Sequence, residues 1–173
     1  MTRLQRRRKK PLTLKRLKEA LSYDPVTGLF TWLIQCAHRN KPGDVAGSLQ
    51  GNGYVTIGID NGTYLAHRLA WFYMKRKWPP RIIDHRDLCR SNNKWSNLRA
   101  ATHGQNNRNR PAHRDGSTGL KGVTFVKRSG KYHARIMHNK RLQILGDFDS
   151  PLVAAEAYRQ AAARLHGDFA RTS

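Results

Sequence analysis

Acidic residues are scarce: 11 Asp and Glu stand against 33 Lys and Arg in 173 residues, for a formal net charge of +22. Such an excess repels itself in the folded chain and is relieved where the surface meets a polyanion. Nucleic acid is therefore the leading partner, since each phosphate neutralised also releases condensed counterions. Cysteine is almost as rare. Cys36 and Cys89 lie far apart and outside any CxxC spacing, which gives no support to a disulfide framework or a tetrahedral zinc knuckle. Both read as reduced thiols. No apolar run approaches the ~18 residues needed to span a bilayer, so no membrane partner is expected. The basic N-terminus has no apolar signal-peptide core, and the chain is expected to be cytoplasmic.

What is present divides into four stretches. Residues 1–11 hold Arg3, Arg6, Arg7, Arg8, Lys9 and Lys10 ahead of Pro11 and read as a basic arm. Residues 12–110 read as a first, α+β domain. Thr13 is placed to cap a short helix over LKRLKEAL, Asp24-Pro25 and Thr27-Gly28 mark a turn before LFTW, and GNGYVTIGID alternates like a strand into an Asp60-Asn61-Gly62 hairpin signal. TYLAHRLAWFYMKRKWP starts strand-like, turns helical and stops at Pro79-Pro80. Residues 111–118, inside a stretch from 107 to 119 that is rich in Arg, Gly, Pro, Ser and Thr and has no hydrophobic period, read as a linker. Residues 119–173 read as a second domain of three antiparallel strands, GVTFVK, KYHARIMH and QILGDF, on one helix opened by Pro151 and stopped by Gly167.

Chemistry concentrates in IIDHRDLCRSNNKWSNLRAATHGQNNRNR, residues 82–110. Asparagine competes with the backbone for hydrogen bonds, so this density requires turns, caps or ligands. An Asp-His pair alone is a common loop opening. Here, however, Ile82-Ile83 reads as a strand ending in Asp84-His85, Asn97-Leu98-Arg99-Ala100 as a returning strand, and Thr102 as the cap of a helical turn carrying Asn106. That order brings an imidazole, a carboxylate and an amide oxygen toward one point, a trio suited to metal-assisted phosphodiester hydrolysis. A hard cation accepts the two oxygens and keeps several waters, while a neutral histidine takes the proton of the attacking water.

The stretch resembles the HNH nucleases, the ββα-metal group, and specifically the homing-type HNH endonucleases carried by phages. The resemblance runs through YDPVTGLFTW, GDVAGSLQGNGYVTIGID, HRLAWFYM, WPP, IDH, SNLRAAT and QNNRN, in order, over roughly residues 12–110. It implies His85 as general base, Asp84 and Asn106 as metal ligands, and Asn97 as the residue whose amide holds the histidine loop or ring. It also implies a divalent metal, Mg²⁺ with Mn²⁺ as a substitute, and a bacterial host cytoplasm for a phage-encoded chain. His67, in AHRLAW, matches a recurrent position and stands as an accessory candidate. Asn93 reads as a loop or capping residue. RDLCRSNN after the Asp-His pair departs from the family's usual Gly- and Asp-containing turn.

The second domain resembles the AP2 DNA-binding domain through KGVTF, KYHARI, LGDFDSPLVAAEAY and GDFA over residues 119–170. This implies sheet-face contact with double-stranded DNA by Lys121, Lys127, Arg128, Lys131, His133, Arg135 and Arg141. Tyr132, Ala134, Ile136, Val123 and Phe125 are expected on the packed face. The register of RLQILG stays open by one residue, and a slip would reverse which side chains face the DNA.

The resulting expectation is a monomeric HNH endonuclease, nicking or cutting both strands, with an AP2 module that fixes where it cuts. The competing expectation is a DNA-binding regulator whose HNH-like domain is structural. It has the same charge and the same AP2 module, but no need of Asp84, His85 and Asn106 together.

Overall fold

The computed structural model describes residues 11–35, 40–112 and 118–170. The basic arm apart from Pro11, Cys36, and residues 113–117 of the expected linker lie outside them. The chain is α+β and divides into two compact units, 1–101 and 102–173.

In the first unit, α1 (Leu14–Ala20) starts where Thr13 accepts a hydrogen bond from the Arg16 backbone N–H, as the sequence predicts. The helix ends one residue earlier than its leucine spacing suggests. Leu21 leaves it in extended conformation and opens β1 (Leu21–Tyr23), which pairs with β2 (Phe30–Trp32), itself paired with β3 (Val45–Ala46). A second sheet joins β4 (Ser48–Leu49), β5 (Val55–Ile59) and β6 (Gly62–Leu65). Asp60 and Asn61, both at positive φ, make the expected tight turn between the last two. Then α2 (Ala66–Lys75) follows without a break, and a left-handed Arg76 ends it ahead of the prolines. β7 (Ile82–His85) and β8 (Leu98–Ala101) close the unit as an antiparallel ribbon.

One apolar cluster holds these elements together. Leu17, Ala20 and Leu21 meet Phe30, Ile57, Ile59, Leu69 and Ala70, with Ile83 and Leu98 bringing the ribbon onto it. Truncating a leucine at such a position costs about 2–5 kcal/mol.

The second unit opens on α3 (His103–Arg108), where Thr102 and Gln105 form a reciprocal capping box. β9 (Val123–Val126), β10 (Lys131–His138) and β11 (Arg141–Phe148) follow as one antiparallel sheet with β10 central. α4 (Pro151–His166) packs on it through Ala154, Ala155, Tyr158, Ala161 and Ala162. Small residues on the helix let it approach closely, and Gly122, at φ +72°, lies so near the Tyr158 ring that a Cβ there would overlap it.

The compact units part at 101/102, whereas the sequence reading ends the first domain at 110. Within the second unit the Lys121 ammonium donates to the Arg108 and Arg110 carbonyls, closing the open end of α3 from the approach to β9. Among the described residues no helix is long and apolar enough to cross a membrane.

Candidate active site

The ribbon of β7 and β8 presents Asp84 opposite Arg99 and His85 opposite Leu98. Strand alternation sends neighbouring side chains to opposite faces, so Asp84 and His85 meet different partners. Both are buried.

Asp84 faces Arg99. Its Oδ2 accepts from the guanidinium Nε at 2.8 Å and from Nη2 at 2.6 Å, and both side chains are buried. His85 faces His67 from α2 and Tyr54. Its ring centre lies 5.0 Å from that of His67, with the planes at 80°, and 6.0 Å from that of Tyr54. Arg90 covers the cluster from the loop, its guanidinium 5.0 Å above the Tyr54 ring and Nη1 donating to the Asn52 carbonyl at 2.9 Å.

The twelve-residue segment between the strands is braced by asparagines. Asn97 Nδ2 donates to Asp87 Oδ1 and to the Asn92 carbonyl, each at 2.8 Å, and its Oδ1 accepts the Asp87 N–H at 3.1 Å. Asn92 Nδ2 donates to Asp87 Oδ2 at 2.6 Å. Burial pushes the Asp87 carboxyl upward, but the bonds from Asn92, Asn97 and the Cys89 N–H prevail and hold it below its ordinary range. Asn97 therefore holds the loop. Asn93 reaches the ring: its Oδ1 lies 3.4 Å from His85 Nε2, while its Nδ2 donates to the Ser91 carbonyl at 3.1 Å.

That pair of contacts fixes the imidazole tautomer. With Nδ2 spent on a carbonyl, the amide oxygen is what faces the ring, and an amide oxygen only accepts. His85 Nε2 accordingly carries the hydrogen and Nδ1 the basic lone pair. Burial lowers the His85 pKa against the opposing pull of Asn93, Asp87 and Asp84, so the ring is neutral at pH 7. The His67 pKa falls to about 3, through burial and then the neighbouring His85 and Arg68. Its buried Nδ1 has no hydrogen-bond partner among the described residues.

Asn93, read from sequence as a loop or capping residue, is thus the side chain on the imidazole. Its neighbours Asn92 and Asn97 are indistinguishable from it by residue type, and only the loop's closure decides which amide faces the histidine. The first unit brings His67 and Asn93 onto His85, with Asn97 bracing the loop behind them, while Asp84 turns to Arg99. Asn106 lies half-buried on α3 in the second unit, its backbone N–H bonded to the Thr102 carbonyl at 2.9 Å.

The Asp84 carboxylate is an oxygen donor of the kind that fits a hard divalent cation keeping several waters. Among the described residues no group of three or more His, Cys, Asp or Glu gathers to hold a metal ion. A cation held by Asp84 would share its carboxylate with the Arg99 guanidinium or displace it. Cys89 is an exposed free thiol.

In the second unit, Lys131, His133 and Arg135 occupy the face of β10 opposite the buried Ala134 and Ile136. His133 Nε2 approaches Asp147 Oδ1 at 3.1 Å, Lys131 pairs with Asp149 at 3.5 Å, and Arg135 Nη2 donates to Thr124 Oγ1 at 3.2 Å. Lys127 and Arg128 are exposed at the β9–β10 turn. Two expected members of this face stand elsewhere. Lys121 is spent on the α3 carbonyls, and Arg141 pairs with His138, on the parity of the helix side. The open register of RLQILG closes through a bulge between Ala134 and Arg135, where Leu145 is skipped and turns into the core. Phe125, expected in the packed face, stays at its rim against Tyr132.

Residues 64–108 match the family model described as HNH endonuclease. No curated protein and no solved structure matches the chain.

Proposed function

We propose that the chain is a DNA endonuclease of the HNH type in which His85 is the general base. The observation that carries this reading is the buried, neutral imidazole of His85, its tautomer fixed by Asn93, within the segment matched by the HNH endonuclease model. His85 Nδ1 takes a proton from water, whose oxygen bonds to phosphorus as one sugar oxygen leaves. Asn93 holds the ring and Asn97 holds the loop behind it. Asp84 would hold a divalent metal, Mg²⁺ or in its place Mn²⁺, which when bound neutralises charge on the scissile phosphate and the leaving oxygen. The second unit is the AP2-like targeting module: it keeps the reacting unit near one duplex and raises its effective concentration there. The enzyme works as a monomer of homing type.

The ion pair between Arg99 and Asp84 favours the second reading, a non-catalytic DNA-binding regulator, because it gives that carboxylate a structural use. Cleavage of supercoiled plasmid and phage DNA by the wild type and His85→Ala, with Mg²⁺, Mn²⁺ or EDTA, separates the two. Nicked or linear product that needs metal and disappears in the variant, with DNA affinity nearly unchanged, is the expected result. Binding without cleavage in any metal establishes the regulator.

A further inference from the structure

The outer face of the C-terminal sheet is not uniformly basic. Beyond Lys131, His133 and Arg135 it continues into three exposed apolar side chains: Met137 at 54% of its free surface, Leu142 at 53% and Ile144 at 77%. These are neighbours. Met137 lies directly across from Leu142 and Arg135 directly across from Ile144, while Leu142 and Ile144 share one side of β11. Single exposed aliphatics are ordinary, but three neighbouring ones on an open sheet face mark an interaction surface. The bulge that skips Leu145 is what turns them outward: carried unbroken from Ala134 opposite Gly146, the register would have put Leu142 and Ile144 on the helix side and Leu145 outside.

The occupant follows from the mixture. A cation directly beside aliphatic side chains, on a sheet of a chain with net charge +22, fits the major groove, where guanine offers two acceptors and thymine a C5-methyl group. A two-stranded ribbon fits that groove in width. An acidic protein partner would leave the aliphatics unused, and the face lacks the long apolar stripe of a lipid-binding surface.

We propose that Met137, Leu142 and Ile144 contact thymine C5-methyl groups in the major groove, with Arg135 on the adjacent base or phosphate, so that this face selects sites by methyl groups as well as by hydrogen bonds. The proposal rests on the reading of the second unit as the targeting module. His133 and Thr124 lie on the far side of Arg135 and carry no part of the methyl contact.

The test uses the full chain in EDTA, so that bound DNA is not cut. Duplexes with a randomised 30-base-pair centre are selected for binding, and the winning sequence is remade with uracil at each thymine, which removes one methyl group and leaves charge and pairing unchanged. Affinity should fall about fourfold for each contacted thymine, the worth of one buried methyl group. In Leu142→Thr/Ile144→Asn, both exposed positions whose replacement spares the core, thymine and uracil duplexes should bind alike. Full affinity for the uracil duplex, discrimination that survives in the double variant, or no sequence enriched at all overturns the proposal while leaving the nuclease reading standing. Preference for anionic vesicles of phosphatidylserine over any duplex, lost in the double variant, assigns the face to lipid and overturns it. Failure to bind any duplex removes the nuclease reading with it.

Discussion

The imidazole of His67 stands edge-on to that of His85, ring centres 5.0 Å apart, with both residues buried. Two histidines this close cannot both hold a proton without strong repulsion, and the pair is therefore built to be neutral.

Stability should fall in acid because of that arrangement. The folded-state His67 pKa, about 3, lies below the ordinary 6.5 of the unfolded chain, so between these values the unfolded state binds the extra proton. The stability contributed by neutral His67 is present above about pH 6.5 and is lost as the pH falls toward 3. Urea denaturation at pH 7 and pH 4.5 should show a loss of a few kcal/mol in the wild type, and a clearly smaller loss in His67→Gln. Equal losses in both proteins would assign the acid sensitivity to other groups.

Asn93 holds the imidazole that the proposed mechanism uses as general base, without touching the reacting atoms. Asn93→Ala should lower kcat by about 10- to 100-fold, the cost of a misplaced reacting group, with DNA affinity unchanged. In Asn93→Asp an anion faces the imidazole N–H and favours the charged ring. The acid limb of its pH–rate profile should therefore move to higher pH. A profile identical to that of the wild type would mean that Asn93 serves the loop alone.

Arg99 is the counter-charge of Asp84, and breaking a buried pair from one side costs about 3–5 kcal/mol. Arg99→Met should lose stability on that scale. Because the variant leaves a carboxylate facing no guanidinium, Mg²⁺ should raise its Tm more than that of the wild type. A Tm shift that is the same in both proteins would place the cation away from Asp84.

Gly28, at φ +77°, lies in the β1–β2 turn against the backbone of Asn93 and Lys94, and a Cβ would sit 2.3 Å from the Lys94 nitrogen. Trp95 ties the same loop to this turn, its N–H donating to the Pro25 carbonyl at 3.0 Å. Gly28→Ala combines overpacking with a left-handed non-glycine residue and should cost at least about 2 kcal/mol. Since the displaced backbone carries Asn93, cleavage should fall together with Tm; intact cleavage in the destabilised variant would uncouple the turn from the site.

How much of this was legible beforehand depended on whether the signal was local. Thr13, Thr102, the Asp60-Asn61-Gly62 turn, Pro151 and Gly167 act on backbone atoms within a few residues, so their positions alone specify where α1, α3, the β5–β6 hairpin and α4 begin or end. Alternation placed Ala134 and Ile136 in the core and Arg135 outside it, because side-chain period in a strand is fixed by the backbone. The ribbon bearing Asp84 and His85 was legible for the same reason. Tertiary structure decided the rest. Which of three like asparagines meets the imidazole depends on how the 86–97 loop folds back, Arg99 is matched to Asp84 by the register of two strands fifteen residues apart, and Lys121 leaves the basic face because two helix-end carbonyls reach it first. The bulge at Ala134 and Arg135 likewise belongs to a pairing between strands. Charge, caps and periodicity are properties of short segments, whereas a partner across the fold is chosen only when the segments have been brought together.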